Sequence, residues 1–242
     1  ENRTSQPIPE HVFTVNSENI FIEKGATLLN CSLNASDGPI YIGEDATVME
    51  GVHIRGAFAL CEHSIVKMGA KIYGATTIGP QRRVGGEVTN SVFIGYSNKG
   101  HDGFLGNSVL GEWCNIGADS NNSNLKNNYA SVRLWNYPAG RFVDTELQFC
   151  GLIMGDHSKC GINTMFNTGT VVGVSANIYG SGFPRNFIPS FSWGGASGVT
   201  TYKINKVFEV ADVVMKRRNT ELKEVDKKIL NKVFELTAHY RG

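Results

Sequence analysis

Two polar stretches interrupt a chain otherwise rich in small and aliphatic residues: Ser97-Asn98-Lys99-Gly100-His101-Asp102, and Asp119-Ser120-Asn121-Asn122-Ser123-Asn124-Leu125-Lys126. The chemistry they permit is proton transfer. A histidine with an ordinary pKa of ~6.5 can deprotonate an amine or hydroxyl near neutrality, and neighbouring Asn and Lys side chains can hold hydroxyls and a phosphate. From residue types alone a second reading stays open, in which His101 only breaks a repeat and the Asn-rich run bonds its own backbone. The five cysteines (Cys31, Cys61, Cys114, Cys150, Cys160) show no C-x-x-C pair, and several occupy apolar positions, so we expect reduced, buried thiols with neither a disulfide nor a metal site. His53, His63 and His157 read as outward or corner residues rather than metal ligands.

The elements that must position His101 follow from a repeat. Ile42, Val48, Ile54, Leu60, Val66, Ile72, Ile78 and Val84 recur at a spacing of six. The phase then slips by two, and Val92, Asn98, Phe104, Leu110 and Ile116 carry the spacing on, with a third block at Met154, Cys160, Phe166, Val172 and Ile178. Neither a helix of period 3.6 nor a strand of period 2 gives this, so each hexad is one side of a coil and three sides close a triangular turn. Gly follows the aliphatic residue at positions such as Gly43, Gly79, Gly117 and Gly155, where we expect unusual backbone angles. Small residues such as Ala46, Ser64, Thr164 and Ala176, four after the aliphatic one, should fit the corners. The two polar stretches lie about one coil apart, so they should stack on one edge, placing the imidazole beside amides and an ammonium.

The expected fold is all-β: a parallel β-helix of hexapeptide repeats spanning 19–200, with an insertion at 121–150. Within the insertion, alternation about Val132, Leu134, Phe142 and Val143 across Pro138-Ala139-Gly140 predicts a projecting hairpin. Residues 1–18 read as a linker from a preceding domain. From 201 to 242 the pattern is helical, with Val207, Val210, Ala211 and Val214 on one face, then Leu222, Val225, Ile229, Val233 and Leu236 on another, and Thr220 as an N-cap. This segment should cap the open end of the coil or lie across a neighbouring subunit. The aromatic run Phe183, Phe187, Phe191 and Trp193, punctuated by Pro184 and Pro189, should form a packed exit loop joining coil to helices.

Composition narrows the function. A net charge of +1, from 23 basic and 22 acidic residues spread along the chain, advertises no nucleic-acid or anionic-membrane partner. There is no apolar run of about 18 residues and no signal-peptide pattern, which makes the cytoplasm the expected compartment.

The run Lys99-Gly100-His101-Asp102-Gly103-Phe104-Leu105-Gly106-Asn107-Ser108-Val109-Leu110-Gly111-Glu112-Trp113-Cys114-Asn115-Ile116-Gly117-Ala118 resembles the acetyltransferase domain of the bifunctional glucosamine-1-phosphate acetyltransferase/N-acetylglucosamine-1-phosphate uridylyltransferases. The hexads of 20–200 share that domain's pattern. Ile40 to Gly180 looks closest to the Bacteroidetes form, usually described as a glucose-1-phosphate nucleotidyltransferase. The resemblance implies a left-handed coil, a homotrimer with sites between adjacent β-helices, acetyl-CoA as co-substrate and an amino-sugar 1-phosphate as acceptor. It places His101 on the catalytic base, Asn124 and Asn115 in the sugar pocket, Ala118 beside acetyl-CoA and Glu87 on a sugar-binding acid. Lys126 or Arg83 would supply charge for the sugar phosphate.

Two departures accompany the match. Phe104 replaces a tyrosine of the substrate pocket, and Asp119 replaces a glycine in the usual G-A-G-T run. Three other roles remain in view: an accessory, oligomerising or regulatory domain of a sugar-1-phosphate nucleotidyltransferase whose catalytic part lies outside this chain, a pure scaffold, and an acyl-cysteine route through Cys114 or Cys160.

Overall fold

A computed structural model describes residues 4–241, and the structure is a left-handed parallel β-helix with two C-terminal helices. Three parallel sheets form its faces. The first runs through Phe13–Val15, Ser32–Asn34, His53–Arg55, Lys71–Tyr73, Glu87–Thr89 and Phe104–Gly106. The second stacks nine strands from Ile20–Ile22 to Phe187–Ile188. The third runs from Thr27–Leu28 through Arg83–Val84 to Asn98–Lys99, and single bridges at Asn115 link it to Lys159–Cys160 and beyond.

The unbroken hexad series forms the core. All eight residues from Ile42 to Val84 are 2% exposed or less. Each stacks on its equivalent one coil away, as Ile42 on Leu60 and Leu60 on Ile78. This layered contact makes the stability a sum over neighbouring coils.

After Val84 the inward set differs from the sequence expectation. Val92 is 42% exposed, while Asn98 and Phe104 are half-buried; Val88, Phe93, Lys99 and Leu105 point inward instead. The reason lies in unequal sides. The corner between the third and first faces takes four residues after Val66 but only Gly85 and Gly86 after Val84, so the next side arrives early. One consequence is a lysine in an aliphatic column, with Lys99 paired on Val84 and 1% exposed.

The glycines after the inward residue serve close approach rather than unusual angles. A Cβ on Gly43 would stand 2.8 Å from the Glu62 nitrogen, and one on Gly155 would stand 2.9 Å from the Gly173 carbonyl carbon. The left-handed backbone falls two residues later, on Asp45, His63, Trp113, Asp119 and His157, with φ between 52° and 60°. Asp119 thus occupies a turn position that glycine would also fill, and Asp is among the better alternatives there.

The expected linker is partly coil. Residues 1–3 lie outside the described part, but Phe13–Val15 pairs with Ser32–Asn34 and the Gln6 N–H donates to the Ile22 carbonyl. The insertion leaves after Asn124 and returns at Cys150, whose N–H donates to the Asn124 carbonyl at 2.9 Å. Within it, Arg133–Asn136 and Arg141–Asp144 form the antiparallel hairpin. Rather than projecting free, the hairpin packs its Trp135 on Phe187 with ring centroids 4.1 Å apart. In the exit run Phe191 is fully buried, while Phe183 is 54% exposed.

Helix α1 (Ile204–Lys216) and helix α2 (Glu224–Leu236) lie along the edge between the second and third faces, not over the open end. Large residues on the left-handed corner positions make that edge a docking strip: Tyr96 stacks on Trp113 at 4.2 Å, and Trp113 meets Ala211, Met215 and Leu222. Phe191 does the same for Val207 and Leu230. Met215 joins the expected face, in which Val214 is half-buried, while Val225, Ile229 and Leu236 point to solvent. Thr220 does not cap α2. Its N–H closes the end of α1 on the Met215 carbonyl, and α2 begins after Lys223, whose N–H donates to the Asp226 carboxylate at 2.8 Å.

Candidate active site

The short corner at Gly85-Gly86 creates the site. In the other coils the third-to-first corner stacks Met68, His101, Ala118 and Ile162, and the missing pair leaves a notch directly beside His101. Lys67 and Met68 wall the notch on one side and the exposed His101 imidazole on the other.

Two cavities share His101, Lys67, Gly100 and Ala118. The first, about 480 Å³, adds Asp102 and Asp119, whose loops stack through the Asp119 N–H on the Asp102 carbonyl at 3.0 Å. The second, about 470 Å³, adds Arg83, Asn98 and Asn115. Arg218 reinforces its positive side by donating to the Asn98 side-chain oxygen at 3.0 Å. His101 therefore stands between a flank carrying Asp102 and Asp119 and one carrying Arg83, with Lys67 lining both. Opposite charges so placed favour an ammonium on one side and a phosphate on the other.

Beneath this corner, Lys99 donates from Nζ to the His101 carbonyl oxygen at 2.7 Å. Burial pushes the lysine down to about 8, with Asp102 as the leading opposing charge. An ammonium in the core is costly and persists where it has a structural task. Here it fixes the backbone that presents the imidazole.

The structure gathers Arg83, Asn115 and Ala118 around His101 but separates Asn124 and Lys126 from it. Asn124 lies on the edge between the first and second faces, donating to the Asn107 side-chain oxygen at 2.7 Å. Lys126 stands at the base of the hairpin, bonded to the Ser131 carbonyl at 2.6 Å. The expectation that both polar stretches share one edge fails because the coil turns a corner between Asp119 and Asn124: Asn121 bonds the Phe104 N–H, and Asn122 turns inward to satisfy Gly106.

Glu87 and Phe104 are register partners on the outer first face. Glu87 accepts from Tyr73 Oη at 2.6 Å and from Lys71 Nζ at 2.9 Å, which together hold its carboxyl low; the same contact pushes the tyrosine up to about 12. The hydroxyl absent at Phe104 is thus present on this face at Tyr73, two strands away.

Sequence reading missed Lys67 and underrated Lys99. The signal for both was coil register, since Val66 pairs with Val84 and Val84 with Lys99 across the shortened corner. The cysteines are free thiols, and burial pushes Cys114 up to about 11 and raises Cys160, the wrong direction for a nucleophile. Among the described residues no helix is long and apolar enough to cross a membrane.

No protein-family model matches the sequence. Over 144 residues, 59% of this chain, it is 27% identical to a bifunctional sugar-1-phosphate nucleotidylyltransferase/acetyltransferase of Sulfurisphaera tokodaii. The match covers 35% of that protein, so the chain spans about a third of the relative it matches. Among solved structures, an Arabidopsis UDP-N-acetylglucosamine acyltransferase is 13% identical, covering 97% of this chain and 94% of its own at a TM-score of 0.35. The polySia-specific acetyltransferase NeuO is 11% identical, covering 78% and 85% respectively at a TM-score of 0.26. What the structure shows of this chain is the fold, a left-handed parallel β-helix of hexapeptide repeats.

Proposed function

We propose that this chain transfers an acetyl group from acetyl-CoA to the amine of an amino-sugar 1-phosphate, with His101 as general base. The observation that carries the reading is the position of the imidazole, at a notch between the Asp102/Asp119 flank and the Arg83 flank, with Lys67 lining both, and beside the Asn115–Ala118 corner.

The acceptor enters as an ammonium held by the acidic flank, and its phosphate lies toward Arg83 and Lys67. That ammonium loses a first proton to solvent, and as the resulting neutral amine attacks the thioester carbonyl, His101 takes a second proton from its nitrogen. The Ala118 N–H is the donor for the oxyanion that develops. Collapse breaks the carbon–sulfur bond, and the thiolate of coenzyme A takes the proton back from the imidazolium. Asn115 orients the sugar. Asn124, Glu87 and Phe104 lie on other faces, and they join the site when a homotrimer brings the first face of one subunit against the His101 edge of the next. Nucleotidyl transfer belongs to the longer protein that such a domain would serve.

The test follows free thiol release from acetyl-CoA with glucosamine 1-phosphate, for the wild type and for His101→Ala. Loss of turnover by about 10²-fold or more with an unchanged thermal midpoint supports the reading. No release by a folded wild type with several amino sugars overturns it and leaves the chain as an accessory domain.

A further inference from the structure

A third cavity, of about 600 Å³, lies at the foot of the inserted hairpin, on a different edge from His101. Three separate elements each bring a cation to it: Lys126 from the start of the insertion, Arg133 from the first hairpin strand and Arg185 from the exit segment. Two aromatic rings, Phe142 and Phe187, line the same space.

Among the described residues none of the three cations forms a salt bridge, although the Asp144 carboxylate feels the charge of Lys126 and Arg133. Lys126 spends one hydrogen on the Ser131 carbonyl, Arg133 donates from Nη2 to the Phe142 carbonyl at 3.1 Å, and Arg185 is exposed. Asp144 is the nearby acid, and it is already engaged by the Glu146 N–H at 2.9 Å and by Ser131 Oγ at 2.7 Å. The rings are held firmly. Phe187 stacks on Trp135, and Phe142 meets the same indole edge-on at 5.4 Å. The buried Trp135 Nε1 has no hydrogen-bond partner.

From this arrangement we infer that the hairpin pocket binds a nucleoside diphosphate, with its phosphates on Lys126, Arg133 and Arg185 and its base against Phe142 and Phe187. Guanidinium groups suit phosphate oxygens, aromatic rings suit a base, and the volume lies within the range of small-molecule sites. A bare sugar phosphate would use the cations and leave the rings idle. The same chemistry is offered by the ADP half of coenzyme A and by a nucleotide-linked sugar. With a nucleotide-linked sugar as occupant the inference goes beyond the acetyl-transfer reading, and with coenzyme A it deepens that reading by placing the co-substrate's nucleotide end.

Titration calorimetry on the full chain decides it, with UDP, UDP-N-acetylglucosamine, ADP, coenzyme A and inorganic pyrophosphate as probes. One site for a nucleoside diphosphate is expected, bound more tightly than pyrophosphate. Arg133→Ala and Arg185→Ala should each weaken it by about five- to tenfold, at solvent-exposed positions where the fold is retained, as an unchanged thermal midpoint would confirm. Phe142→Leu should weaken the nucleotides and spare pyrophosphate. Tighter binding of the uridine compounds identifies a nucleotide sugar, and tighter binding of the adenine compounds identifies the coenzyme. No nucleotide binding by the folded chain overturns the inference, as does affinity unchanged in the double Arg variant or equal for UDP and pyrophosphate. Thiol release that persists alongside any of these outcomes leaves the acetyl-transfer reading standing, while nucleotide binding without thiol release leaves only this inference.

Discussion

Two edges of the same triangular coil have been put to different uses. The edge between the second and third faces carries Tyr96, Trp113, His157 and Phe191 on its corner positions and is roofed by α1 and α2. The edge between the third and first faces loses two residues at Gly85-Gly86 and presents His101 to solvent. A repeat supplies equivalent positions, and side-chain size at those positions decides which edge is sealed. Large rings recruit a cover, whereas a deletion leaves a notch that titratable groups can line.

The largest effect should come from the roofed edge. Trp113→Ala removes a ring that is 6% exposed and touches both the coil and α1, and should cost about 3–5 kcal/mol in denaturant unfolding. A loss below about 1 kcal/mol would show that the helices do not depend on this strip.

The two edges should also respond to pH in the same direction but in separate windows. His157 is held near 4 chiefly by burial, with Lys159 adding to the depression and Asp226 opposing it. The unfolded chain therefore binds the extra proton, and stability should fall by up to about 3 kcal/mol as pH drops from 6.5 toward 4. His157→Asn, which tolerates the left-handed corner, should flatten that slope. Under the open edge, Lys99 sits near 8 in the fold and 10.5 unfolded, so stability should rise by up to about 3 kcal/mol as pH climbs through that window. Lys99→Met should remove the rise and slow thiol release through loss of the His101 carbonyl anchor. Matching slopes in variant and wild type would refute either assignment.

Legibility in the sequence followed the same division. The hexad series up to Val84 announced the core, because every side in that stretch has the same length. Beyond Val84 the sequence reading misplaced Val92, Asn98 and Phe104, since one corner loses two residues at Gly85-Gly86 and the steps from Val88 to Phe93 and from Leu105 to Leu110 are each one residue short, which brings Leu110 and Ile116 back to their expected inward positions. His101 was visible from its type and its neighbours. The divided charge around it was not, because Lys67, Arg83 and Asp119 converge only through coil register. Asn124 and Lys126 were close to His101 in sequence logic and a corner away in space. The helices were found by period, but their berth depended on Trp113 and Phe191, whose role emerges only when corner positions are stacked.

The smallest effect sharpens the boundary of the roof. Ile229 is 57% exposed on the outer side of α2, so Ile229→Asp should change unfolding by no more than about 0.5 kcal/mol.

One paired measurement tests the central claim that stability and chemistry reside on different edges: thermal midpoint and thiol release, taken together for Trp113→Ala and His101→Ala. The account predicts that Trp113→Ala lowers the midpoint while the protein still folded below it turns over near the wild-type rate, and that His101→Ala keeps the midpoint and abolishes turnover. Full turnover by a well-folded His101→Ala protein would contradict it.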